Sequence, residues 1–258
     1  MGFSAGWLSL REPADHAARD DTLLRMAAER AVTAGGESPV IVDLGCGTGS
    51  TVRALAPLLP GARWRLVDND PALLDCARES APGAELHQLD IAHIDALPLD
   101  GAHLVTASAL LDLVPDDWLR DLAARLAVRG IGFYAALTYD GAMSWTPPMA
   151  EDAAITTAFN DHQRGVKSLG PALGPDGGAV ARDRLEAEGF TVRTGDSPWQ
   201  LGPDDAALQG ALFAGIAEAA RAAGAADAEA WLDRRLAARD AGGCRIGHLD
   251  VLAIPPQD

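Results

Sequence analysis

The sequence predicts an α/β protein, a doubly wound and mostly parallel seven-stranded sheet in a three-layer α/β/α sandwich. Three observations predict it. Short apolar runs alternate with amphipathic stretches between residues 37 and 138, the rhythm of βαβ units. The runs are continuous rather than alternating, as in strands buried on both faces. The first run enters a glycine-rich turn, and ligands bind such sheets outside the carboxyl ends of their strands. The 258 residues fit one large domain. With 48% apolar and 22% charged residues, a sizeable core is possible.

Residues 12–33 read as helix, with Pro13 in its first turn, Asp20–Asp21 as a break and Gly35–Gly36 as its end. Pro39–Leu44 is the first strand and residues 48–59 the helix after it. Ala62–Asp68 is the second strand, and Asp70 caps a helix that opens with Pro71. Ala84–Leu89 and Ala102–Ala107 are the third and fourth strands. Pro115 opens a helix that Gly130 stops, and Ile131–Thr138 is the fifth strand. Residues 139–176 show no clear period and read as a long loop, which in a compact domain is usually functional. Helix returns over 178–188, followed by strand 190–194 and helical stretches 204–222 and 227–240. In the last strand, 244–254, Ile246, His248, Asp250 and Leu252 share one face and Leu249 and Val251 the other.

Charge and cysteines narrow the function classes. Asp plus Glu number 37 against 21 basic residues, a formal charge of −16. Such a surface repels phosphate backbones and anionic lipids, so no nucleic-acid or membrane partner is expected. No apolar run approaches a membrane span, and the first residues do not read as a secretory signal. Three cysteines without metal spacing imply a reduced, cytoplasmic protein with no metal. Lys167 is the only lysine.

The strongest local signal is Val42-Asp43-Leu44-Gly45-Cys46-Gly47-Thr48-Gly49-Ser50. Its glycines let the chain turn tightly and approach a ligand. The dinucleotide fingerprint GxGxxG fails at its third glycine, where Ser50 stands. The pattern GxGxG after Asp-Leu resembles the first motif of class I S-adenosylmethionine-dependent methyltransferases. Three further strand ends are similar to that family in the same order: Leu66-Val67-Asp68-Asn69-Asp70-Pro71, Leu89-Asp90-Ile91 and Leu104-Val105-Thr106-Ala107-Ser108. The likeness spans residues 39–138.

The resemblance implies a Rossmann-like methyltransferase domain that binds S-adenosylmethionine and releases S-adenosylhomocysteine. Asp68, beside Asn69, would accept the ribose hydroxyls. Asp90 would take the exocyclic adenine amine, and the Ile91 amide a ring nitrogen. Gly45, Cys46 and Gly47 would pass the methionine part. Asp43 and the Ser108 carbonyl would face its ammonium. Residues 1–36 are expected as an N-terminal helical cap on a methyltransferase domain spanning 37–258. That domain carries a lid insertion at 139–176 and a helical insertion at 203–241 near the C-terminus.

The acceptor side is less marked. Arg11, Asp15 and Arg19 recur every four residues, which reads either as a solvated ion-pair stripe or as an arginine, Arg11, that reaches the cofactor carboxylate or an acidic substrate group. Tyr139 directly follows the fifth strand, which puts it near the methyl channel. His162 is a candidate base or a solvent-facing histidine. Asp112, just past the fourth strand, is the other candidate base. The mixed aromatic and polar residues of 139–176 suit a small-molecule acceptor, methylated on oxygen or nitrogen by a monomer or homodimer. The alternatives are non-methyl use of the same cofactor, a non-catalytic cofactor-binding subunit and a dinucleotide-dependent oxidoreductase.

Overall fold

The computed structural model describes residues 3–256. Two helices come first, α1 (Ala5–Ala18) and α2 (Asp21–Gly35), each capped by a side chain, Ser4 and Asp20 respectively. The break falls at the expected place, but α1 starts earlier than expected and carries Pro13 in its interior. The alternating half follows: β1 (Val40–Leu44), α3 (Ser50–Leu55), β2 (Arg63–Asp68), α4 (Pro71–Ser80), β3 (Glu85–Gln88), β4 (Leu104–Ser108) and α5 (Asp116–Arg129). Asp70 caps α4 through the Ala72 amide, and Gly130 ends α5 in the left-handed region.

The second half is more elaborate than a loop between strands. β5 runs from Gly132 to Thr146, well past residue 138. Then come α6 (Asp152–Gln163), a hairpin of β6 (Val166–Lys167) and β7 (Gly170–Pro171), and α7 (Gly177–Ala187). β8 (Thr191–Asp196), β9 (Trp199–Leu201), α8 (Ala206–Ala222), α9 (Ala228–Ala238) and β10 (Gly243–Ile254) complete the chain. Residues 139–176 therefore hold strand, helix and hairpin. Their period is hidden because the strand is bulged and the helix buries only Ile155.

The main sheet has the order β3-β2-β1-β4-β5-β10-β8, with β9 beside β10. That makes eight strands rather than seven. The extra one arises because β8 and β9 keep one continuous register against β10, from Ile254↔Thr191 to Cys244↔Leu201, and are interrupted only at Ser197–Pro198. Proline has no N–H to give a ladder.

α2, α3 and α4 cover one face of the sheet and α5 and α7 the other. A third core joins α1, α6, α8 and α9 to the far ends of β5 and β10, around Trp145, Phe213 and Trp231. Within it Arg235, on α9, pairs with Asp152 at the start of α6. β10 keeps its two faces as the alternation predicts. β5 does not: its register shifts against β10 around Leu137 and again across Asp140–Ala142. Leu137 sits at φ 58° and lies in the core beside Ala136. No helix among the described residues is long and apolar enough to cross a membrane.

Candidate functional site

A cavity of about 580 Å³ lies at the carboxyl ends of β1, β2, β3 and β4. That is the topological switch edge where doubly wound sheets bind ligands, and the volume is within the usual range for small-molecule sites. Its floor is the glycine turn after β1. Gly47 sits at φ 53°, and a Cβ there would lie 3.0 Å from Leu8 of α1. The turn's amides are used internally: Cys46 N–H donates to the Val67 carbonyl at 3.0 Å and Gly49 N–H to the Cys46 carbonyl at 2.9 Å.

Asp68 ends β2 and is 8% exposed. One of its oxygens accepts from the Gly47 amide and the other from the Asp70 amide, both at 3.0 Å. The carboxylate is thus aimed by main chain, with lone pairs left for a ligand. Asp90 accepts from the Ala92 amide at 2.9 Å. The carbonyl of Ile91 accepts from the Trp118 indole at 2.7 Å, which fixes that peptide against α5. Gly45, Cys46, Gly47, Asp68, Asn69, Asp90, Ile91 and Ser108 all line the cavity.

Asp43 does not line it but sits directly beneath, fully buried in β1. Its Oδ1 accepts from the Thr106 hydroxyl at 2.7 Å, and its Oδ2 has no partner. Burial pushes this carboxyl up to about 7, against the Thr106 hydrogen bond and the nearby Arg19 charge. Arg19 is its counterpart. One guanidinium nitrogen donates to the Ser108 hydroxyl at 3.1 Å, while Nε and Nη1 are buried without partners. An unpaired buried cation beside an unpaired buried carboxyl is costly unless a ligand completes both.

Arg11 lines the cavity in a different way. Its Nε and Nη2 are given to Asp15 at 2.8 and 3.0 Å, and its guanidinium lies 4.9 Å over the Trp199 ring. The Trp199 indole donates to Asp15 at 3.0 Å. The Arg11, Asp15 and Arg19 face is therefore buried rather than solvated, at 8%, 5% and 7% exposure. Neighbouring Trp7, Leu10, Ala14 and Ala18 pack into the third core and are the sequence signal for that burial.

The expected catalytic trio is dispersed. Asp112 follows β4 between the lining residues Leu110 and Leu113 but does not itself line the cavity; its Oδ1 is buried and unpaired. Burial pushes it up to about 6, opposed by its own backbone amide, Arg11 and Lys167. Tyr139 does not line the cavity. Because β5 continues through its bulges, the phenol turns into the third core, donates to Asn160 at 2.7 Å and stacks edge-on with Phe159. His162 sits in the last turn of α6, also off the cavity wall, and burial lowers its pKa. Its carbonyl accepts from Lys167 Nζ at 3.1 Å.

Several wall residues were not singled out from the sequence. Phe3 and Leu8 come from the N-terminal segment, and Ser168 and Leu169 from the β6–β7 hairpin. Behind the wall, His248 stacks against Trp199, with ring centroids 5.2 Å apart, and its Nδ1 is buried and unpaired; neither residue lines the cavity. Only alternation along β10 hinted at its side. The two non-glycine residues with positive φ among those described, Ala109 and Leu137, follow β4 and interrupt β5 beside this site. Such conformations cluster where function holds them.

Fold and site together define a Rossmann-like α/β protein with a binding cavity at its strand ends. More narrowly, residues 41–130 match the family model described as methyltransferase domain. The trans-aconitate 2-methyltransferase of Paracidovorax citrulli is 40% identical over 93 residues, 35% of this chain and 36% of that one. The carboxy-S-adenosyl-L-methionine synthase of Dichelobacter nodosus is 30% identical over 123 residues, 46% and 49% of the two chains. The chain thus spans less than half the length of these curated relatives. The YcgJ protein of Bacillus subtilis shares the fold, with a TM-score of 0.53 at 14% identity over 92% of this chain and 100% of that one.

Proposed function

We propose that this chain transfers a methyl group from S-adenosylmethionine to an oxygen or nitrogen of a small metabolite. The observation that carries the reading is a pair of buried groups with unpartnered atoms, Arg19 and Asp43, which lie behind the Ser108 end of the cavity without lining it. Arg19 has two free donors and Asp43 one free acceptor, a match for the carboxylate and ammonium of an amino-acid group. Asp68, with Asn69 beside it, fits two ribose hydroxyls, and Asp90 with the Ile91 amide fits an adenine edge. Gly45, Cys46 and Gly47 leave room for the chain between them. In this reading Arg19 rather than Arg11 holds the carboxylate, since Arg11 is occupied by Asp15.

When bound, S-adenosylmethionine would supply an electrophilic methyl carbon on a sulfonium, whose sulfur is a neutral leaving group. The residues of this chain position the acceptor in line and exclude water. In this reading Asp112, next to the lining residues Leu110 and Leu113, is the proton acceptor, its carboxyl raised to about 6 by burial. Tyr139 and His162 support the wall from behind. We read residues 1–36 as a cap, 139–176 as a lid and 203–241 as an insertion within one domain. The −16 charge favours a small-molecule acceptor over nucleic acid, and the three unpaired cysteines fit a cytoplasmic setting.

The oxidoreductase alternative is disfavoured by the turn itself. A phosphate at that turn needs free amides, and those of Cys46, Gly47 and Gly49 are spent inside the protein. Calorimetric titration with S-adenosylhomocysteine and with NADH decides between them. Micromolar binding of the first alone is expected; binding of NADH alone overturns the reading. Non-methyl use of the cofactor, suggested by the carboxy-S-adenosyl-L-methionine synthase relative, is separated by product mass.

A further inference from the structure

We infer that Asp250 is a positioning residue for this site. From behind the cavity it fixes the Ser108–Ala109 peptide of the wall, and with it the end that takes the amino-acid group of S-adenosylmethionine. The inference rests on the methyl-transfer reading above.

Asp250 is fully buried in β10. The register of β10 against β5 steps from Leu249↔Thr138 to Val251↔Ala135, so Asp250 alone opposes both Ala136 and Leu137. Opposite such a bulge the regular ladder is interrupted. Here the side chain takes its place: Oδ1 accepts from the Leu137 amide at 2.8 Å. Oδ2 accepts from the Tyr134 hydroxyl at 2.9 Å and from the Asp20 amide at 3.1 Å. Three donors from three segments meet on one carboxylate. An ionised carboxylate accepts at both oxygens and offers no donor of its own, whereas an amide would turn an N–H toward one of these donors. Burial raises the Asp250 pKa, opposed by its hydrogen bonds and by the Arg19 charge.

Two routes lead from this carboxylate to the wall. The first passes through the sheet. The peptide between Ala136 and Leu137 gives its N–H to Asp250, and its carbonyl accepts from the Ala109 amide at 2.9 Å. That holds the N–H of the Ser108–Ala109 peptide toward β5. In a trans peptide the carbonyl points the opposite way, so the Ser108 carbonyl is turned toward β1 and the glycine turn. The Cys46 amide on that side is given to the Val67 carbonyl. Ser108 and Ala109 both line the cavity. Ala109 sits at φ 50° and Leu137 at φ 58°, so one chain of hydrogen bonds joins two strained residues. Such strain persists only where the surroundings over-determine it.

The second route runs through the helical cap. The Asp20 amide that Asp250 accepts belongs to the N-cap of α2. Arg19 stands one residue earlier, at the end of α1. This elbow seats closely because Gly195, the β8 partner of Asp250, has no Cβ to run into the Asp20 carboxylate. From there Arg19 donates to the Ser108 hydroxyl at 3.1 Å. Both routes end on Ser108: one aims its carbonyl, and the other brings a guanidinium to its hydroxyl.

The test is calorimetric titration of the full chain and of Asp250→Asn with S-adenosylhomocysteine and with 5′-methylthioadenosine, which lacks the amino-acid group. Asp250→Asn is expected to weaken S-adenosylhomocysteine at least tenfold and to leave 5′-methylthioadenosine within twofold. A merely structural role would lower the melting temperature without altering the ratio of the two affinities, so an unchanged ratio overturns the inference. If Asp250→Asn does not fold, hydrogen exchange on the wild-type chain decides. Coupling between sites is reciprocal. S-adenosylhomocysteine should therefore slow exchange of the Leu137 and Ala109 amides at least fivefold more than 5′-methylthioadenosine does, each at saturation. Equal exchange under the two ligands overturns the inference. Absence of S-adenosylhomocysteine binding to the wild-type chain is the separate failure of the methyl-transfer reading, and this inference falls with it.

Discussion

The half of the cavity between β1 and Ser108 is held by main chain, whereas the half beyond Ser108 is held by side chains from distant segments. On the first side, Asp68 is aimed by two amides within its own and the neighbouring strand end, and Ile91 by one indole. On the second, Leu8 and Arg11 come from α1, Leu110 and Leu113 from the β4 end, and Ser168 and Leu169 from the β6–β7 hairpin. A loop between adjacent parallel strands places its residues wherever the sheet forms. A wall drawn from three distant places needs the whole chain packed. The match to the methyltransferase-domain family stops at residue 130, before β5, so it covers the first half and, of the second, only the β4 end with Leu110 and Leu113.

The contrast makes graded predictions. The largest concerns the side-chain half. Asp15→Ala leaves Arg11 buried and unpaired and should lower stability by about 4 kcal/mol, read by urea denaturation. Asp21→Ala, which removes the exposed partner of Arg25, should change nothing measurable. Equal effects of the two would remove the contrast.

Next, Asp68→Ala should weaken S-adenosylhomocysteine by about 3 kcal/mol, roughly 100-fold, through loss of charge-assisted hydrogen bonds. The protein should stay folded by circular dichroism. Unchanged affinity would mean that the strand-end register assigned to the ligand is wrong.

Arg19→Met should cost about 2 kcal/mol of S-adenosylhomocysteine binding but leave 5′-methylthioadenosine, which lacks the amino-acid group, unaffected. Parallel loss of both ligands would indicate a packing role for Arg19 instead.

The smallest effect is on pH. The Asp43 carboxyl, raised to about 7 by burial, must ionise to face an ammonium. Binding the ammonium lowers its pKa, so affinity is full above pH 7 and falls as pH drops through 7. The α-ammonium stays charged over that window. The loss approaches tenfold per unit, about 1.4 kcal/mol. A flat profile between pH 5.5 and 8 in calorimetry would show that Asp43 is not titrating against the ligand.

The same contrast governs what the sequence reveals. The alternating half was legible because each strand end carries its own local signal: glycines at a tight turn, an aspartate closing an apolar run, a proline opening a helix. The buried role of Arg19 was half legible, since a four-residue spacing of charges looks alike on a wet or a dry helix face. Tyr139 was expected at the methyl channel because the fifth strand was ended at Thr138; β5 instead runs on through its bulges to Thr146, which turns the phenol into the third core. His248 and the β6–β7 hairpin had no local mark; their position depends on contacts between residues far apart in sequence. β9 was invisible for the opposite reason, as a short continuation of a strand that Pro198 interrupts.

The bulge at Leu137 has a consequence for how this chain tolerates length changes. Before it, the odd-numbered residues Phe133 and Ala135 face α5 and α7; after it, Tyr139 and Trp145 face α1 and the third core. The extra residue works as a phase inverter on a two-residue wave. Removing it would leave β5 pairing with β10 intact while turning Tyr139, Met143 and Trp145 toward α7. The third core would lose its aromatic centre, and the surface that carries Trp199 and Arg11 would lose its backing. One residue in the middle of a strand thus sets which side of the sheet the third core is built on.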